Sequence, residues 1–206
     1  MAGRRSRTRT TRAAQARAQR TRGRILAAAQ QLLVEGGPAA VSHRTVSERA
    51  AVSLGAITYH FGSKAAMLEA VHRAHLGAVH ARARAAAGRS GRTARALLDY
   101  VERDLHEGRA GTLAAIELAL GRARDPALRG QLRTPGNRSR EFACAMLRAI
   151  GSANPELDSE LLTAALVGLK LEWLAEGERS AFAKRLPEML ERLAELLLPN
   201  AHSRVR

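Results

Sequence analysis

The chain has 206 residues, of which 46% are hydrophobic and only 3% aromatic, with a formal net charge of +15. That length and apolar content support a folded core of Leu, Ala, Val and Ile, and the lack of alternating apolar and polar runs leaves an all-α fold. A single cysteine, Cys144, excludes an intramolecular disulfide framework, no apolar run approaches the ~20 residues of a membrane span, and the basic start lacks the apolar segment of a signal peptide, so a cytoplasmic protein with no membrane partner is expected.

Residues 1–24 carry nine arginines and no acid, so more than half of the net charge precedes the first patterned segment. Residues 1–20 are too polar to fold alone. They are expected to form a disordered basic arm that lies along phosphates or in a minor groove. A helix is predicted from Thr21 to Glu35, with Ile25, Ala29, Leu32 and Leu33 on its buried stripe; Gly36, Gly37 and Pro38 stop it.

The stretch VSERAAVSLGAITYHFGSK, Val46 to Lys64, reads as two short helices joined by a tight turn. Ser42 is the predicted N-cap of the first, and Val46 and Ala50 share its buried stripe. Val52 plugs the turn, and Ser53 caps a second helix, Leu54 to about His60. Ile57 points inward there and Phe61 closes the end, which leaves Leu54, Gly55, Thr58 and Tyr59 outward or at the rim. Gly55 costs about 1 kcal/mol of helix propensity, which fits a close approach of some backbone, protein or DNA. Gly62 ends this helix and Ser63 caps the next, with Lys64 at its start, where the helix dipole and the ammonium both favour a phosphate. This is the plan of a helix-turn-helix at about 42–61, whose second helix enters a DNA major groove.

From Thr21 to Val71 the chain resembles the DNA-binding domain of the TetR family of bacterial transcriptional regulators. The resemblance rests on RGRILAAAQQLLVEGG, VSHRTVSERAAVS and TYHFGSKAAMLEAV in combination. It implies a DNA-binding domain over residues 21–70 and a C-terminal regulatory and dimerisation domain over 71–200. The DNA contacts then fall to Arg20 at the end of the arm and Arg22 at the start of the first helix, to Ser42, His43 and Arg44, and to Ser53, Leu54, Gly55, Thr58, Tyr59, His60 and Lys64. One departure is Thr58, where the family usually carries an aromatic residue; its hydroxyl or methyl offers a different contact.

The fourth helix is predicted from Lys64 to about Ala87, before a break at Gly88 to Gly91. Beyond it the pattern is a helical bundle: Thr93–Glu107 with Leu97, Leu98, Val101 and Leu105; a turn at Gly108 to Gly111; Thr112–Arg124; and a start at Asp125-Pro126. Thr134-Pro135-Gly136-Asn137 is expected to kink or loop, and a helix then runs to Ile150. Asn154-Pro155-Glu156 opens a helix to about Glu176, and the last spans Phe182–Leu198, with Pro187 as a kink or, preferably, its first turn. By the resemblance, the last two helices pair with those of a second copy. Leu162, Leu166, Leu169 and Trp173 on one and Leu190, Leu193 and Leu197 on the other are the expected homodimer contacts.

Tyr100, Asp104, Glu117, Arg140 and Trp173 are candidates for a small-molecule pocket, although Glu117 reads better as the solvent edge of its helix. Aromatic residues are too few in this half for a cation cage, which favours an aliphatic or acyl-like effector, if any. His72 and His75 stand at i, i+3 with His80 beyond, but no HExxH, second histidine pair or cysteine accompanies them, so no metal site is read. No nucleophile–base set or glycine-rich phosphate loop occurs, so neither catalysis nor a cofactor is expected. The expected function is a dimeric, ligand-responsive repressor on a palindromic double-stranded operator. The alternative is a non-specific architectural DNA binder using the arginine arm.

Overall fold

Capping and glycine signals place the helix ends where the expected boundaries fall in most of the chain. The computed structural model describes residues 3–90, 94–131, 136–149 and 151–197, which form ten helices without a strand among them. They are α1 (Gly3–Ala40), α2 (His43–Ala50), α3 (Leu54–His60), α4 (Lys64–Ser90), α5 (Ala94–Glu107), α6 (Arg109–Arg124), α7 (Pro126–Gln131), α8 (Gly136–Ala149), α9 (Pro155–Glu176) and α10 (Ala181–Leu197). The expected interruption at Thr134-Pro135, the helix ends at Thr93, Ile150 and Leu198, and Gly91 lie outside the described residues, as do the side chains of Leu97 and Leu98.

The first departure from expectation is α1. Residues 1–20 were expected to be disordered, yet the helix begins at Gly3. Ala13, Ala14, Ala16 and Ala18 alternate with arginines, and both residue types are strong helix formers. Once Ile25 to Leu33 anchor the helix, adding turns requires no new nucleus. At its other end α1 does break at Gly36 and at Gly37, which has φ +64°. A second departure is Pro187, which sits inside α10 rather than in its first turn. The Ser180 hydroxyl accepts from the Ala183 N–H at 3.0 Å and fixes the start ahead of the proline. A third is Gly111, which lies within α6; only Gly108 separates α5 from α6.

The chain forms two compact units, Met1–Arg73 with Leu113–Arg133, and Ala74–Thr112 with Thr134–Arg206. By its contacts, the segment Leu113–Arg133 packs with the first unit. Ala114 and Leu118 of α6 and Leu128 of α7 are buried in the same core as Ile25, Leu33, Val46, Ile57 and Leu68. Each of these leucine, isoleucine and valine side chains contributes about 1.5–3 kcal/mol by leaving water. Gly121 allows α6 to approach closely here, since a Cβ at that position would meet Pro38 Cγ at 2.5 Å. The second unit has its own core of Tyr100, Val101, Leu105, Leu166, Trp173, Leu186 and Leu190.

That second core encloses charge. Asp104 is fully buried. Its carboxylate accepts from Arg82 Nε at 2.8 Å and from Lys170 Nζ, which also donates to the Tyr100 hydroxyl at 3.0 Å. Burial alone would push the Asp104 carboxyl up, but the Lys170 ammonium and the Arg82 guanidinium outweigh it and hold the group below its ordinary value. Burial likewise pushes Lys170 down, and Tyr100 and Asp104 together leave it raised. A depressed carboxylate adds stability above about pH 4, and that stability is lost as pH falls through the folded-state value. Asp104→Asn should cost about 3–5 kcal/mol in urea unfolding at neutral pH, because two cations lose their partner. It should also flatten the acid limb of the stability profile below about pH 4. An unchanged acid limb would show that the pair carries no such linkage.

Candidate functional site

The first unit presents a small helical head. Ser42 caps α2 by accepting from the Thr45 N–H at 3.1 Å, and the Thr45 hydroxyl accepts in return from the Ser42 N–H at 2.9 Å. Ser53 caps α3 through the Ala56 N–H, and Ser63 caps α4 through the Ala66 N–H. Ile57 and Phe61 are buried, so α3 is pinned by one face and one end. What remains outward is Leu54, 53% exposed, Tyr59, 82% exposed, and the exposed Gly55 and Thr58. The Thr58 hydroxyl donates to the Leu54 carbonyl at 3.2 Å, which leaves its methyl and oxygen lone pairs outward-available. A Cβ at Gly55 would meet nothing nearer than Ser53 Oγ at 4.0 Å, so no protein contact requires glycine there.

The expected contact residues divide on this geometry. Leu54, Gly55, Thr58 and Tyr59 share an exposed surface, with His60 half-buried at its edge and Lys64 half-buried at the first turn of α4. Arg44 is exposed and pairs with Glu48 at 3.1 Å. Arg20 is exposed on α1. His43 turns inward, since its Nε2 is buried without a hydrogen-bond partner, which counts against its expected contact role. Ser42 and Ser53 have their hydroxyls engaged as caps. Arg22 lies over the Phe61 ring, 5.4 Å from its centroid, and so braces α3 from α1.

Arg24 was not among the expected site residues, yet it holds the turn. Ala51, the C-cap of α2, is left-handed at φ 49° and ψ 53°, a conformation that costs a non-glycine residue about 1–2 kcal/mol. One guanidinium nitrogen of Arg24 donates to the Ala50 carbonyl at 2.6 Å and the Ala51 carbonyl at 2.9 Å, satisfying the end of α2 where the chain reverses. A cation 26 and 27 residues from its two targets leaves no local signal. Arg24→Ala should cost about 1–2 kcal/mol in thermal or urea unfolding, and Ala51→Gly in that background should restore part of it by relieving the strain. No recovery on adding the glycine would mean that the clamp and the strained turn are independent.

The expected pocket residues do not converge. Tyr100 and Asp104 meet in the buried network, and Trp173 shares their core. Glu117 belongs to the first unit, where its Oε2 lies beside Gly37. Arg140 is exposed and pairs with Glu160 at 3.4 Å. The expected dimer contacts are also redistributed. Leu166, Trp173 and Leu190 are buried in the chain's own core, with Leu162, Leu169, Leu193 and Leu197 partly covered. The exposed apolar surface is instead Leu157, Leu161, Val167 and Leu171 of α9 and Leu196 of α10. The sequence pattern shows apolar residues all round α9, and periodicity alone does not say which side the chain covers itself. Of the histidines, burial and Arg122 lower His72, and His80 stacks on Phe142. Among the described residues no three His, Cys, Asp or Glu side chains gather to hold a metal. No described helix is long and apolar enough to cross a membrane.

Comparison with known proteins agrees with this architecture. Residues 25–71 match the profile described as bacterial regulatory proteins, tetR family, and residues 88–197 match the tetracyclin repressor-like C-terminal domain. No match is found among curated protein sequences. Among solved structures, a transcriptional regulator of Rhodococcus sp. Rha1 is 28% identical, with 88% of this chain and 96% of that one covered at a TM-score of 0.64. A TetR family member of Streptomyces coelicolor A3 is also 28% identical, with 84% and 98% covered at 0.65. The multidrug binding protein EbrR, complexed with malachite green, is 27% identical, with 84% and 97% covered at 0.63. The two profiles account for both halves of the chain, and the protein belongs to the TetR family of bacterial transcriptional regulators.

Proposed function

We propose that this regulator is a dimeric repressor that reads a palindromic operator with α3 and releases it when a small molecule occupies the second unit. The observation that carries the DNA reading is the exposed surface of Leu54, Gly55, Thr58 and Tyr59 on a capped, one-side-buried helix. Gly55 sharpens it. Glycine weakens α3, and nothing in the protein requires it there, so a DNA backbone or base edge is the remaining close neighbour. Arg12, Arg17 and Arg20, exposed along α1, supply sequence-independent attraction to phosphates. That feature also supports the second reading, an architectural binder with little sequence preference. The effector reading draws support from the complex of EbrR with malachite green.

Selection of bound DNA from a random pool, at near-physiological salt and with competitor, separates the two. A two-fold symmetric consensus is expected; retention without consensus would favour the architectural binder. Tyr59→Ala should weaken binding to the selected site by about 1–3 kcal/mol with an unchanged melting temperature. Gly55→Ala should move the two properties in opposite directions, raising stability by up to about 1 kcal/mol while weakening DNA binding. If both rise together, no DNA group comes close to that backbone.

The dimer reading rests on Leu157, Leu161, Val167, Leu171 and Leu196, each close to half exposed or more on the last two helices. Ala164 and Gly168 lie along the same exposed side of α9 and would let a partner helix approach closely. A two-fold axis through this surface would give two reading heads for two half-sites. In analytical ultracentrifugation the protein should sediment at twice the chain mass, and Leu161→Arg should shift it towards monomer without unfolding it. A Leu161→Arg protein that stays dimeric would place the interface elsewhere.

A further inference from the structure

The second unit contains a cleft of about 540 Å³ between α5 and the α9–α10 pair. Its size is that of a site for a drug-sized molecule. Leu105, Trp173, Leu186 and Leu190 form an apolar floor and are themselves nearly or fully buried. Its walls are strongly biased in charge. Asp99, Glu102, Glu107 and Glu178 line it, against Arg103 and His106. Arg103 lies 3.9 Å from Glu107, and His106 lies 3.5 Å from Glu178. The Arg109 guanidinium rests 5.9 Å from the Trp173 ring centroid, and with it included, Glu102, Glu107 and Glu178 face two guanidiniums among the described residues. This is a locally acidic basin in a chain of net charge +15. Gathering carboxylates around a concave apolar floor raises their mutual repulsion, and a low-dielectric wall focuses the field into the cleft.

We propose that this cleft binds an organic cation, with the apolar body on the Trp173 floor and the positive charge towards Glu102 and Glu178. The assignment names the effector class for the regulator described above and rests on that reading only for its biological consequence. It also revises the expectation of an aliphatic or acyl-like effector. Charge selection here comes from carboxylates on α5 and the α9–α10 turn and requires no aromatic cage.

Trp173 is the chain's single tryptophan, so its fluorescence reports on this cleft directly. The full-length protein, free of DNA, is titrated with tetraphenylphosphonium and, separately, with anilinonaphthalene sulfonate as an anion of comparable size. The phosphonium should give a saturable change in Trp173 emission. In the Glu102→Gln/Glu178→Gln variant its affinity should fall about tenfold, as expected for two unit charges acting across a few ångströms of well-solvated cleft, while the sulfonate should lose none. Both glutamates are exposed, so the fold should survive the change. The Glu102→Asp/Glu178→Asp variant, which keeps both charges, should retain phosphonium binding. No saturable response, equal phosphonium affinity in wild type and the glutamine variant, or an equal loss in the aspartate variant overturns the assignment. Because no DNA is present, those failures leave the operator reading standing. Failure of the DNA selection to return a consensus leaves the cation titration unaffected.

Discussion

Every short helix of the DNA-reading head depends on satisfied backbone groups at its ends. α2 has eight residues and α3 has seven, lengths at which isolated helices do not persist in water. Each leaves its first N–H groups and last carbonyls without partners inside the helix. Ser42 and Ser53 take up N–H groups of the first set, and Arg24 takes up carbonyls where α2 ends. Burial of Val46, Ala50, Ile57 and Phe61 then fixes which sides face in. The outward surface of α3, with Leu54, Gly55, Thr58 and Tyr59 exposed, is what remains after those requirements are met.

The same distinction between local and distant causes explains what could be read without coordinates. Caps act over three residues, so Ser42, Ser53 and Asp125 announced their helices, and Gly36, Gly37 and Gly62 their ends. The stripe of Ile25, Ala29, Leu32 and Leu33 follows from a period and was equally legible. Arg24 was not, because its targets lie 26 and 27 residues away. Nor was the Asp104–Lys170 pair, separated by 66 residues, although Asp104 is among the residues expected at a small-molecule pocket. α9 failed for a different reason. With apolar residues on nearly every side, its pattern carries two buried surfaces or one buried and one awaiting a partner, and Leu166 and Leu161 look alike in sequence. Only packing separates them, one buried and the other 51% exposed.

The buried charges of the second unit need a reason to exist, since an apolar group of similar volume at Asp104 would often be at least as stable. The network joins Arg82 of α4, Tyr100 and Asp104 of α5 and Lys170 of α9, three helices that apolar contacts alone would allow to slide. Directional hydrogen bonds to a buried carboxylate admit one register. Gly108 shows how closely this is specified: a Cβ there would meet Asp104 Oδ1 at 2.7 Å and an Arg82 guanidinium nitrogen at 2.8 Å. A helix pair with a sharply defined register has few intermediate arrangements, which is what a two-state response to a ligand requires.

Charge also constrains how an effector could act. An organic cation bound in the acidic cleft adds positive charge to a chain that is already at +15. Its direct electrostatic effect on a DNA polyanion would be attractive, and at physiological salt it decays within about 8 Å. Simple repulsion therefore cannot account for release of DNA by such a ligand. Release would have to come from a difference in cation affinity between the DNA-competent and incompetent arrangements, and the same coupling would require DNA to weaken cation binding by an equal factor. The sign of that coupling distinguishes a conformational switch from a direct charge effect: attraction between the cation and DNA would make each strengthen the binding of the other and would fade with added salt, whereas a switch makes each weaken the other.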